Sequence, residues 1–112
     1  MAVYVSNITI EQGFDFDTSF QLEDTRSNSF LDLSGSSSVA RLKKTYTSLS
    51  SVSFASTVSD PIDGIISISL NANQTTQLKP GRYVYDVKII TQGGKEFKAV
   101  EGSALVRPGV TT

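Results

Sequence analysis

The stretch FDFDTSFQLED sets Asp15 and Asp17 between phenylalanines, with Glu23 and Asp24 close behind. Carboxylates this dense raise two chemistries. A calcium ion takes about six to eight oxygens, usually from a loop that wraps it. A glycosidase pair needs a cleft and one carboxyl kept protonated by burial. Asp15 and Asp17 alternate on one strand face, which offers two oxygen-bearing groups to water and neither a wrap nor a cleft. The expectation is a solvated face, with no metal and no catalytic pair. The densest cations are Arg41, Lys43 and Lys44, followed by Tyr46. Arg41 and Lys43 fall on one face of a strand. Phosphate neutralisation would suit such a cluster, but no row of aromatics lies beside it to stack bases. A solvated or ion-pairing edge, or contact with an acidic protein neighbour, is expected instead. The chain holds no histidine and no cysteine. Its many serines therefore lack the commonest general base, and thiol chemistry and disulfides are absent. Gly93-Gly94 lacks the flanking Lys-Ser/Thr of a phosphate loop. The composition points away from an enzyme and names no cofactor.

These residues must be carried by strands. With 112 residues the chain is the size of one domain. Seventeen Ser and eleven Thr make up a quarter of it, which favours strands with wet faces over long helices. In Phe14–Glu23 the order is strict: Phe14, Phe16, Thr18, Phe20 and Leu22 face one way and the polar residues the other. Period-two alternation with one wet face marks an antiparallel sheet over a core. The same reading predicts strands over Tyr4–Glu11, Ser38–Lys44, Val52–Ser59 and Ile65–Leu70. In the last of these Ile66, Ile68 and Leu70 point inward. Phe30, Leu31 and Leu33 are expected to tuck in from a loop. Asp60-Pro61 and Asp63-Gly64 are turn dipeptides, and Asn71 is placed to cap a single helical turn.

Pro80-Gly81 then reverses the chain ahead of Tyr83, Tyr85, Val87 and Ile89, which alternate as a sixth strand. A tyrosine just past a corner returns its hydroxyl to the corner's backbone in immunoglobulin-like sandwiches. Gly93-Gly94 signals a hairpin, and Lys95–Val106 is the last strand, with a bulge expected at Gly102. The fold class is all-β: an immunoglobulin-like antiparallel β-sandwich of about seven strands in Greek-key order, with an open barrel as the alternative. Residues 1–106 form the sandwich, and 107–112 an extended tail with nothing of its own to pack on.

The formal net charge is −1, so bulk attraction to nucleic acid is not expected. Residues 1–35 carry six acids and one base (−5), and residues 36–112 nine bases and five acids (+4). Two readings stand. Opposite charges pair inside the domain, or copies meet head to tail. No export signal and no membrane-length apolar run are expected from MAVYVSNITIEQ or beyond.

The order of DLSG (Asp32–Gly35), Asp63-Gly64, LKPGRYVYDV (Leu78–Val87) and GSALV (Gly102–Val106) resembles the small immunoglobulin-like structural proteins of tailed bacteriophages. These include the N-terminal domain of baseplate upper proteins. The resemblance implies a virion structural protein, an accessory or connector subunit of tail, baseplate or capsid assembled in the host cytoplasm. It implies other virion proteins as partners, with a homo-oligomer left open, and no membrane. The partner-binding residues expected on this reading are Arg41, Lys43 and Lys44 for an acidic neighbour, and Val106, Arg107, Val110 and Thr111 for tail docking. A carbohydrate-binding adhesion module is the alternative, with Tyr4, Tyr46 and Phe30 as its only exposed aromatics.

Overall fold

The structure is a computed structural model that describes residues 4–24, 29–45, 47–48 and 51–110. Its strands are β1 (Tyr4–Val5), β2 (Ile8–Glu11), β3 (Phe16–Gln21), β4 (Glu23–Asp24), β5 (Ser29–Phe30), β6 (Ser37–Lys43), β7 (Val52–Ser53), β8 (Ala55–Asp60), β9 (Ile65–Leu70), β10 (Gly81–Ile90) and β11 (Glu96–Arg107), with one helical turn, α1 (Ala72–Thr76). One sheet runs β1-β11-β10-β6-β7, with β2 also on β11; the other runs β3-β9-β8; β4 and β5 pair only with each other. Consecutive strands repeatedly change sheets, as at β2 to β3, β7 to β8 and β9 to β10. This is the immunoglobulin-like all-β sandwich.

The alternation read from sequence governs the core. Ile66, Ile68 and Leu70 are buried, as are Leu33, Ala40, Leu42, Tyr85, Val87 and Ile89 from the loop and the facing sheet. Burying such side chains is the main driving force of the fold, at about 1.5–3 kcal/mol each. Between the sheets Phe20 stacks on Tyr85 at 6.4 Å, and Phe54 meets Tyr85 and Phe16, each at 6.2 Å. Phe14 departs from the expected set. It precedes β3 and is 43% exposed.

Several features differ from expectation. The first strand is two pieces, β1 and β2, both parallel to β11. Both keep one register along the same edge of β11, and the ladder is interrupted at Ser6-Asn7, where Ser6 N–H donates to Glu101 O at 2.9 Å. The fourth strand also breaks, at Phe54, where the chain leaves the first sheet as β7 and enters the second as β8. The bulge lies at Ala99, not Gly102: Val87 pairs with Val100 and Lys88 with Lys98, so Ala99 is the extra residue. Gly102 serves another need. A Cβ there would stand 2.0 Å from Ser6 O. Finally, β11 runs through Arg107, one residue past the expected end of the sandwich.

The expected cap and corner are both present. Asn71 Oδ1 accepts from Gln74 N at 2.8 Å, and Gln74 Oε1 accepts from Asn71 N at 2.9 Å, a reciprocal capping box. Tyr83 donates its hydroxyl to Lys79 O at 2.8 Å, closing the corner four residues back. Tyr85 reaches across to donate to Ser6 O at 2.5 Å.

Tyr85 gives the fold an alkaline limit. Burial pushes its phenol up to about 12 from 10.0, against the smaller opposing effect of the Ser6 hydrogen bond. The neutral phenol is the form that fits, so its contribution is whole below about pH 10, the unfolded value. It is lost as pH rises through about 12, a change on the order of 2 kcal/mol. Urea unfolding at about pH 9 and about pH 11.5 should show this loss in the native chain and not in Tyr85→Phe.

Candidate docking surface

Strand parity decides which side chains leave the core. Opposite the buried Ala40, Leu42, Tyr85 and Val87, the outer face of β6, β10 and β11 presents three rows. The pairing register sets Lys43, Val84 and Ser103 in line, then Arg41, Asp86 and Glu101, then Val39, Lys88 and Lys98. The face holds an open depression of about 380 Å³, bordered by Val39, Arg41, Lys43, Val84, Asp86 and Lys88. The valines lend it apolar walls and the β6 side is cationic.

The charges on this face are unevenly matched. Lys88 Nζ lies 3.0 Å from Glu96. Lys98 Nζ lies 3.3 Å from Glu101 and 3.7 Å from Asp86. Arg41 and Lys43 have no ion pair among the described residues. Among those residues, the carboxylates Asp86, Glu96 and Glu101 are all engaged by Lys88 and Lys98, which leaves Arg41 and Lys43 on β6, and Arg82 of the same outward parity on β10, without an ion pair. The surface ion pairs add little stability. Their effect is to leave an acid-accepting margin at one side of a concave sheet.

No protein-family model and no curated protein matches this chain. Among solved structures it is similar to an internalin-like protein of Listeria monocytogenes, at 18% identity and a TM-score of 0.49 over 94% of this chain. The chain spans 28% of that protein's length. It is also similar to murine CRIg, at 17% identity and a TM-score of 0.37, with 92% of each chain covered. Neither likeness assigns a role to any residue here.

The sequence-derived site residues divide. Arg41 and Lys43 share the outer face as expected, but inside a sheet, between β10 and β7, not on a free edge. Lys44 parts from them: its ammonium sits 4.7 Å over the Tyr83 ring at the corner. Val106 is a correction. It is buried in the core, because it keeps the inward parity of Val100 and Ala104, and so cannot dock on a neighbour. Arg107 is held within its own chain, 3.5 Å from Glu11 across the β2–β11 pair. Val110 is 99% exposed. Thr111 lies outside the described residues.

The carboxylates have structural work. Asp15 Oδ1 accepts from Ala72 N at 2.8 Å, at the start of α1. Asp32 Oδ1 accepts from Ser34 Oγ at 2.6 Å and Ser34 N at 2.9 Å, and these bonds lower its pKa. Among the described residues no three His, Cys, Asp or Glu side chains gather where a metal would sit. Of the candidate sugar-stacking aromatics, Tyr4 is half exposed and leans on Phe20 at 6.2 Å. Tyr46 and the side chain of Phe30 lie outside what is described.

Sequence reading missed Val39, Val84 and Lys88. Their signal is present in the chain: Val84, Asp86 and Lys88 are the complementary parity of Tyr85, Val87 and Ile89. Attention to the inward set alone hides the outward one.

Proposed function

We propose that the chain is a non-catalytic structural subunit of a tailed-phage particle, holding an acidic protein neighbour on the outer face of β6, β10 and β11. The observation that carries the docking part is the pair Arg41 and Lys43, without carboxylate partners among the described residues, beside an open depression with valine walls. Such cations at the margin of a concave surface suit a complementary acidic surface, which they would both attract and orient. The phage part rests on the sequence resemblance. Its motif residues are turns, the corner and strand segments of the sandwich itself, so they speak for a shared scaffold first and a shared duty second. On this reading the neighbour is a virion protein, a copy of this chain included, and assembly takes place in the host cytoplasm.

Particles purified from the virus that encodes the chain supply the test. Mass spectrometry is expected to find the chain in stoichiometric amount. Zero-length carbodiimide cross-linking of the same particles is expected to join Lys43 or Lys88 to a carboxylate of a neighbouring protein. A chain missing from the particles would sink the phage reading. A chain present but cross-linked only elsewhere would sink the choice of face.

A further inference from the structure

The turn between β8 and β9 is a rigid knob. Pro61 O accepts from Leu33 N at 2.7 Å and from Gly64 N at 3.4 Å. Asp60 Oδ1 accepts from Asp63 N at 3.3 Å, and Gln21 Nε2 donates to Asp63 O at 3.2 Å. Gly64 has φ +70°, and a Cβ there would meet Leu31 O at 2.6 Å and Leu22 O at 2.8 Å, so neighbouring backbone closes tightly on the turn. On this fixed base Ile62 stands 72% exposed, between Asp60 and Asp63. Neither aspartate has an ion pair among the described residues.

The knob and the depression are complementary. One offers a β-branched apolar tip flanked by two carboxylates. The other offers the apolar walls Val39 and Val84, with Arg41 and Lys43 on its β6 side; its own carboxylates, Asp86 and Glu96, are engaged by Lys98 and Lys88. We infer that the Asp60–Gly64 turn of a second copy of this chain seats in the depression on β6 and β10. Ile62 packs against Val39 and Val84, and the two aspartates face Arg41 and Lys43. This rests on the docking reading of that face and names its partner.

Knob and depression lie on different parts of the sandwich, the first at the end where β8 turns into β9 and the second on a flank. The contact is therefore heterologous. Each copy keeps one free knob and one free face, so copies add into a ring or an open string. Because the turn is already fixed, little ordering entropy opposes seating. A single turn seated in one depression is a small contact beside the roughly 1,600 Å² of a stable complex, so each contact is weak alone and association is concentration-dependent. The flanking charges make it salt-dependent as well.

The test is sedimentation of the full chain from about 10 μM to about 1 mM, at low and high salt. The expected result is a mass that rises above 12.1 kDa with concentration and falls back with salt. Ile62→Lys, Asp63→Arg and Arg41→Asp should each weaken self-association at least about tenfold. Mixing Asp63→Arg with Arg41→Asp should restore it. The intact knob of one variant then meets the intact face of the other, and the swapped charges meet in turn; an unfolded variant would rescue nothing. A monomer at every concentration in low salt overturns the inference, and so does an oligomer indifferent to these substitutions. Both outcomes are independent of whether the chain is found in particles.

Discussion

Gly102→Ala is expected to destabilise the sandwich by about 3–5 kcal/mol, combining overpacking with lost hydrogen bonds. The added Cβ would stand 2.0 Å from Ser6 O and 2.7 Å from the Ser6 carbonyl carbon, both backbone atoms that no rotamer change can move aside. Ser6 has to leave β11. With it go Ser6 N to Glu101 O and the Tyr85 hydroxyl bond to Ser6 O. Asn7, whose Oδ1 accepts from Ser103 N and Oγ at 3.1 Å, is displaced too. The melting temperature should drop by roughly 10–20 °C. Amide exchange should show protection lost first in residues 4–11. A loss under about 1 kcal/mol would mean that the Ser6 backbone is not seated on β11.

Ile68→Ala is expected to cost about 3–5 kcal/mol. Ile68 is fully buried on β9, the central strand of its sheet, with Thr18 on one side and Ser56 on the other. Strands fixed on both sides cannot close around the space left behind, so the cavity term is near its full value. Against a total stability of about 5–15 kcal/mol this is a large share. Ile65→Ala, on the same strand but facing out, is the control and should cost about 1 kcal/mol or less. Chemical denaturation of both variants checks the pair. Equal losses would contradict the inward parity of β9.

That parity is legible in the sequence, because Ile66, Ile68 and Leu70 alternate with polar or outward residues over the whole strand. So are the Asn71 cap and the Tyr83 corner, which depend on neighbours three and four residues away. What is not legible depends on distant chain. Gly102 looks like a bulge because a glycine in a strand so often is one, yet its reason is the Ser6 backbone, which arrives from the other end of the sequence. Val106 looks available because it stands near the chain's end, while its parity with Val100 and Ala104 sends it inward. The acidic first third and the basic remainder likewise do not become two faces. Asp60 and Asp63, from the basic part, sit on the β8–β9 turn against Leu33 and Gln21 from the acidic part. Among the described residues only one of the four ion pairs, Arg107 with Glu11, joins the two stretches. The docking face is intermediate: Arg41 and Lys43 are legible as a pair, and the valine walls are not.

The parallel seating of β1 and β2 on β11 has a mechanical consequence. Residue 4 lies towards one end of the sandwich and residue 107 at the other, with β2 and β11 side by side and pointing the same way. A pull that draws residues 4 and 107 apart slides β2 along β11. The bonds between the two strands then bear the load together, in shear. They do not open one after another, as the rungs of a hairpin peeled from its end would. Glu11 with Arg107, Asn7 with Ser103, and Ser6 with Glu101 all lie along that seam. A tether running through this sandwich resists sudden tension better than its modest size suggests, and it yields all at once when the seam slips.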